Sequence, residues 1–168
     1  TVQFIFQPAE EANGTGSGAK AMIDDGLFDR FPVDNVFAMH NAPDFVAGAI
    51  ATCPGAMMAS MDLFEVTVTG HGAHGAHPHT GVDPVIIAAQ LLTAWQTIIS
   101  RNVSSLESAV ISATSIDTGD SWSVIPQTAV IRGSVRTLSP EVRQLVYDRF
   151  YTLTHNMAEA FGAKVEIN

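Results

Sequence analysis

The stretch Leu63-Phe-Glu-Val-Thr-Val-Thr69 alternates with period two, the mark of a strand buried on one face. What lies downstream of it decides the architecture. Pro84 opens a segment whose apolar positions, Val85, Ile86, Ala88, Ala89, Leu92, Trp95, Ile98 and Ile99, form a broad helical stripe ending near Arg101. Residues 109–116 and 128–135 are two further alternating runs, joined through the turn-rich Asp117-Thr-Gly-Asp-Ser121. Ser139-Pro140-Glu-Val then supplies a helix cap followed by a first-turn proline. The apolar face of this second helix carries Leu145, Val146, Phe150, Leu153, Met157 and Phe161, and Gly162 ends it. Lys164-Val-Glu-Ile167 reads as a last strand. The order β-α-β-β-α-β predicts a ferredoxin-like sandwich, a four-stranded antiparallel sheet with two helices on one face.

Upstream the pattern differs. Val2-Gln-Phe-Ile-Phe6 and Val36-Phe-Ala-Met39 read as short buried strands, with helical spacing over residues 19–27 between them and Gly26 near the helix end. Strand, helix and strand suggest part of an α/β layer, and two strands with one helix leave edges and apolar faces uncovered. The expected division is therefore a partial α/β segment over residues 1–57 and a complete α+β sandwich over 58–168. The chain begins inside an apolar run, so it is expected to be a cut through a larger protein. Met57, Met58 and Met61, at the junction, are expected to pack in a core or hinge.

Composition narrows the partners. Of 168 residues, eight are Lys or Arg and seventeen are Asp or Glu, a net charge of −9. No basic cluster is present to release counterions from a phosphate backbone, which argues against nucleic acid. No apolar run reaches the roughly 18 residues of a membrane helix, so no membrane partner is expected. The single cysteine, Cys53, allows no intrachain disulfide and fits a reducing, cytoplasmic compartment.

Four regions could carry chemistry. Gln7-Pro8-Ala9-Glu10-Glu11 places two adjacent acids after the first predicted strand. They are either acids favoured by a helix dipole, or a metal ligand beside a free base. His40 closes the next predicted strand, on the same rim if the sheet is parallel; it is a structural hydrogen bonder or a metal ligand. Gly70-His-Gly-Ala-His74-Gly-Ala-His77-Pro-His79 gathers four of the six histidines in a glycine-rich loop. Such a loop can stabilise developing negative charge, or simply bind stray metal at the surface. Ser123 and the pair Arg132 and Arg136 offer a hydroxyl and two guanidinium groups suited to a carboxylate, or an ordinary solvated sheet face. Ser123 has no base beside it in sequence and is not read as a nucleophile.

In order and spacing, Phe6-Gln-Pro-Ala-Glu-Glu11, Gly26-Leu-Phe, Met39-His-Asn41, Gly70-x-Gly-x-His74-x-Ala-x-Pro-His79, Asp83-Pro-Val, Ser100-Arg-Asn, Val124-Ile-Pro126 and Gly133-x-Val-Arg-Thr137 resemble the M20 metallopeptidases. Within that family the likeness is to the amidohydrolase branch of hippurate and indole-acetyl-amino-acid hydrolases. The resemblance implies a catalytic domain holding two divalent cations (Zn²⁺ or Mn²⁺) and an inserted ferredoxin-like lid that makes a homodimer. It implies hydrolysis of the amide bond of N-acyl amino acids. By it, Glu10 is the general base, Glu11 and His40 are metal ligands, and His74 reaches the partner's site to stabilise the oxyanion. Arg136 would hold the substrate carboxylate. Ser123 replaces the usual Asn, shortening a substrate-contacting side chain, while Ala73 and Gly75 exchange the usual Gly and Ala. The family's remaining metal ligands lie outside these residues, so the chain alone is expected to be inactive. The rival expectation is a non-catalytic ferredoxin-like module for dimerisation or small-molecule binding.

Overall fold

The computed structural model describes residues 2–10 and 18–168. They fall into two compact units, Thr1–Ile50 and Ala51–Asn168.

The second unit contains the sandwich. Its main strands are β1 (Asp62–Thr69), β3 (Ala109–Thr118), β5 (Thr128–Thr137) and β6 (Lys164–Ile167), in the order β3-β5-β1-β6 with every pair antiparallel. A two-stranded ribbon of β2 (Ala73–His74) and β4 (Val124–Ile125) stands apart from that sheet. Helices α3 (Pro84–Asn102) and α4 (Pro140–Ala160) provide the two crossovers. The strand feeding α3 and the strand leaving it, β1 and β3, are split by β5, as the predicted topology requires.

Local chemistry fixes the helix starts. The Asp83 carboxylate accepts from the amides of Val85 (2.8 Å) and Ile86 (3.4 Å), and the Ser139 hydroxyl accepts from Val142 (3.3 Å). Each cap is followed by proline, whose missing N–H costs nothing in a first turn. At the other end of α4, Gly162 takes φ 80°, a left-handed conformation that stops the helix where a side chain would be strained.

On the helix-covered face, Phe64, Val66 and Val68 of β1 meet Ile111, Ala129 and Ile131 beneath Leu91, Trp95, Val146 and Phe150. Phe64, Trp95 and Phe150 form an aromatic trio with ring centroids 4.7–5.4 Å apart. Trp95 is wholly buried, and its indole N–H donates to Thr154 Oγ1 (2.9 Å). That hydroxyl in turn donates to the Phe150 carbonyl (2.6 Å), so the buried polar pair is satisfied. Burying each large side chain contributes about 1.5–3 kcal/mol. Gly133 lets β3, β5 and the Phe64 ring close up: a Cβ there would stand 2.1 Å from the Ser112 carbonyl oxygen.

The buried faces of both helices are turned from the expected stripes. In α3 the buried set is Pro84, Ile87, Ala88, Leu91, Trp95 and Ile98, while Val85 and Ile86 are exposed. In α4, Thr154 and Ala158 are buried and Phe161 and Leu145 are exposed. Met57, Met58 and Met61 are exposed, not in a core, because no described neighbour covers them.

The first unit holds α1 (Gly18–Asp24) and α2 (Leu27–Arg30), divided by Gly26 at φ 81°. Residues 2–6 and 36–39 are not strands. A strand exists only as one side of a hydrogen-bonded ladder, and neither segment has a pairing partner among the described residues. No described helix is long and apolar enough to cross a membrane.

Candidate functional site

In the second unit the histidine loop is held by backbone and one amide side chain. His71 exchanges both backbone hydrogen bonds with Val82 (2.9 Å each), closing the loop's base. Gln127, in the bend between β4 and β5, clamps it: its Nε2–H donates to the Gly70 carbonyl (2.7 Å) and its Oε1 accepts from the Gly72 amide (3.1 Å). Gln127 was not singled out from sequence; only its place just after Val124-Ile-Pro126 could have pointed to it. The ribbon then sets His74 opposite Val124, and the Gly75 amide donates to the Ser123 carbonyl (2.7 Å). His74 and Ser123 are thus neighbours in space although 49 residues apart in sequence.

The His74 ring has a defined tautomer. The Ala76 amide donates to His74 Nδ1 (3.1 Å), so in the neutral ring Nδ1 is unprotonated and the proton sits on Nε2. Nε2–H has no partner among the described residues, and the side chain is exposed. His74 therefore presents a hydrogen-bond donor to solvent. His77 and His79 stand nearby, with ring centroids 5.5 Å (His74–His77) and 6.0 Å (His77–His79) apart.

Arg136 lies on the helix-free face of β5, opposite Val110, and is exposed. Four positions earlier, Arg132 is engaged: it donates to Glu65 (2.6 Å) and pairs with Asp117, contacts that raise its already high pKa. Arg136 has no acidic partner among the described residues and is free for an external carboxylate. It stands nine positions beyond Gln127 along β5, roughly 25–30 Å at the rise of a strand. The fold therefore joins Ser123 to His74 and separates Arg136 from both.

In the first unit Glu10 ends a tight turn over residues 8–10 and is exposed. Ala9, just before it, takes φ 50°, a left-handed conformation uncommon for alanine. Glu11 lies outside the described residues. His40 is exposed, and its Nδ1 stands 2.7 Å from the Asn41 carbonyl oxygen. A carbonyl only accepts, so Nδ1 carries the proton and Nε2 keeps a free lone pair. This is the arrangement in which a histidine binds a cation through one nitrogen while a backbone carbonyl orients the other. His40 fits a metal; a whole shell does not form, since among the described residues no three His, Cys, Asp or Glu converge. A groove of about 320 Å³ between α4 and the β1–β6 side, lined by Asp62, Tyr147, Phe150 and Tyr151 among others, holds none of the candidate residues.

Comparison with known proteins places the chain in a family. Residues 1–165 match the model of peptidase family M20/M25/M40. The chain belongs to that family. It is 45% identical over 166 residues to an N-acetyl-L-cysteine deacetylase of Bacillus subtilis, covering 99% of this chain and 39% of the relative. A hippurate hydrolase of Campylobacter jejuni is 42% identical over 167 residues, covering 99% of this chain and 43% of that enzyme. A dinuclear metal-binding peptidase of the M20 family from Bacillus subtilis superposes with a TM-score of 0.72 at 32% identity, over 97% of this chain and 38% of that one. This family member thus spans about two fifths of the length of these relatives.

Proposed function

We propose that this chain is a segment of a metal-dependent amidohydrolase that cleaves N-acyl amino acids, contributing part of the catalytic domain and the lid. The observation that carries the reading is the opposite tautomers of its two motif histidines. His40 offers a lone pair and His74 offers an N–H, as a ligand and an oxyanion donor respectively require. Relatives that act on an N-acetyl amino acid and on hippurate support the substrate class.

His40, with Glu11, would hold part of a pair of divalent cations, Zn²⁺ or Mn²⁺, the other donors coming from outside this segment. When bound, such cations supply Lewis acidity toward the amide carbonyl and toward water. Glu10 takes the proton of the attacking water at its carboxylate and returns it to the leaving amine. The His74 Nε2–H donates to the oxygen that becomes negative as the carbonyl carbon turns tetrahedral. Arg136 grips the substrate carboxylate in a bidentate pair, and Ser123 adds a short hydroxyl beside His74. Since the lid of one copy keeps Arg136 far from His74, the two residues serve one substrate only when two copies cooperate. A homodimer formed through the lid meets that requirement, with His74 acting on the partner's site. The segment alone turns over no substrate.

Kinetics in a full-length enzyme carrying this segment test the assignments. Glu10→Gln should lower kcat about 10²–10⁴-fold with metal content retained. His74→Ala should cost on the order of 10²–10³-fold, with His71→Ala and His77→Ala much milder. Loss of metal together with activity in Glu10→Gln would show that the two acids are reversed. Full activity in His74→Ala would remove the oxyanion role.

A further inference from the structure

The ribbon that carries His74 joins the main sheet out of register. Along β1 and β5 the pairing runs to Thr69 opposite Thr128, and one step further the Gly70 amide donates to the Gln127 carbonyl (2.9 Å). In the ribbon, Ala73 stands opposite Ile125 and His74 opposite Val124. Between these pairs His71 and Gly72 face the single Pro126, the two-against-one count of a β-bulge. Without the extra residue His74 would stand opposite Ser123. Side chains alternate between faces, so a one-residue slip turns His74 to the other face of the ribbon. The bulge therefore decides where the His74 ring is presented.

A side chain holds this step where the backbone lacks groups to do so. Residues of a hydrogen-bonded antiparallel pair exchange two bonds. Gly70 and Gln127 make one through the backbone, and the return bond comes from the Gln127 side chain, whose Nε2–H donates to the Gly70 carbonyl (2.7 Å). Across the bulge the Gly72 amide donates to Gln127 Oε1 (3.1 Å), and Pro126 has no N–H to contribute. One primary amide thus donates and accepts as a peptide group would in an unbroken ladder. Beyond the bulge the ribbon is only two residue pairs long, too short to keep its register unaided. The His71–Val82 pair ties the loop to the segment before α3 and leaves the register with β4 unset.

We propose, on the functional reading above, that Gln127 is a positioning residue of the hydrolytic reaction. Its side-chain amide fixes the register of the bulge, and thereby the point to which His74 Nε2 delivers its hydrogen bond. Gln127 itself meets neither substrate nor metal and acts through His74. An oxyanion donor is sensitive to such support, because misplacement by about 1 Å can cost on the order of 10²-fold in rate.

The test is a double-mutant cycle in the full-length enzyme. Its readouts are kcat, KM and metal content, on hippurate or an N-acetyl amino acid, whichever the wild type hydrolyses faster. Gln127→Ala should lower kcat about 10-fold, with KM changed less than about 2-fold and metal retained, as for support felt only in the transition state. In a His74→Ala background the same substitution should change the residual kcat by less than about 2-fold, since the residue it acts through is gone. Gln127→Glu keeps the acceptor for Gly72 and loses the donor to Gly70, so it should show an intermediate loss of about 3-fold with the same dependence on His74. If Gln127→Ala does not fold, Gln127→Glu supplies the cycle. Equal losses in the two backgrounds overturn the proposal, as does an unchanged kcat in Gln127→Ala. Full activity in His74→Ala would instead remove the oxyanion role itself, and this inference with it.

Discussion

The two units are built from similarly apolar sequence and reach opposite outcomes. In Ala51–Asn168, Val66, Val68, Leu91, Trp95, Ala129 and Ile131 are fully buried, and every buried side-chain polar atom among the described residues has a partner. In Thr1–Ile50, Phe4, Phe6, Phe37, Met39 and Ile50 are each more than 80% exposed, and Gly18 alone is buried among the described residues. Hydrophobicity does not make a core; a second surface does. The sandwich supplies its own second surface because α3 and α4 return across the sheet that flanks them. Among the described residues of the first unit, two short helices and unpaired extended segments supply none.

The largest effect expected from this contrast is at the aromatic trio. Trp95→Ala should destabilise the second unit by about 3–5 kcal/mol, the cost of a large core cavity. Phe37→Ala, at an equally aromatic but exposed position, should change stability by no more than about 0.5 kcal/mol. Urea unfolding followed by near-ultraviolet circular dichroism gives both numbers. Similar losses for the two variants would mean that the first unit has a core of its own.

That contrast also explains what was legible in the sequence. The β-α-β-β-α-β order and most element ends were, since period two over residues 63–69 and caps at Asp83 and Ser139 are local signals that tertiary packing reinforced. The rotation of the helix stripes was not. α3 is apolar around most of its girth, so spacing alone does not tell whether Ile86 or Ile87 faces the sheet, and Thr154 is buried only because Trp95 needs its hydroxyl. The strands expected at residues 2–6 and 36–39 had the right composition, but composition does not supply a ladder partner. At the candidate site, motif order picked out His74 and Ser123. The ribbon joining them could not be read, because two-residue strands have no periodicity, and for the same reason Gln127 went unnoticed.

Gln127 allows a finer test of how the second unit holds its site. Gln127→Ala removes two hydrogen bonds across the histidine loop and should cost about 1–2 kcal/mol of local stability. The Gly72 amide should then exchange with solvent some tenfold faster while the Trp95 core keeps its protection. An unchanged Gly72 rate would show that the His71–Val82 pairing alone holds the loop.

The smallest effect concerns a surface ion pair of the same unit. Arg143 donates to Asp62 (2.7 Å for Nε), and that hydrogen bond, ahead of the charge attraction, holds the Asp62 carboxyl below its ordinary value of 3.8. A lowered carboxyl pKa stabilises the fold above the unfolded-state value, and the contribution is lost as pH falls through the folded-state one. Between about pH 5 and pH 2 the wild type should therefore lose up to about 1 kcal/mol that Asp62→Asn does not lose, given how exposed the pair is. Parallel stability curves for the two proteins across that range would assign the pair no net role.

In the enzyme proposed above catalysis is divided, with the proton carried by Glu10 of one copy and the oxyanion met by His74 of another. Mixing full-length Glu10→Gln subunits with full-length His74→Ala subunits tests it most directly. Each homodimer is inactive, but a hybrid dimer has one site with both residues intact. With free subunit exchange at equal concentrations, half the dimers are hybrids with one good site of two, so about a quarter of wild-type activity should return. Verified subunit exchange with no recovered activity would contradict the account, placing both residues in the site of a single chain.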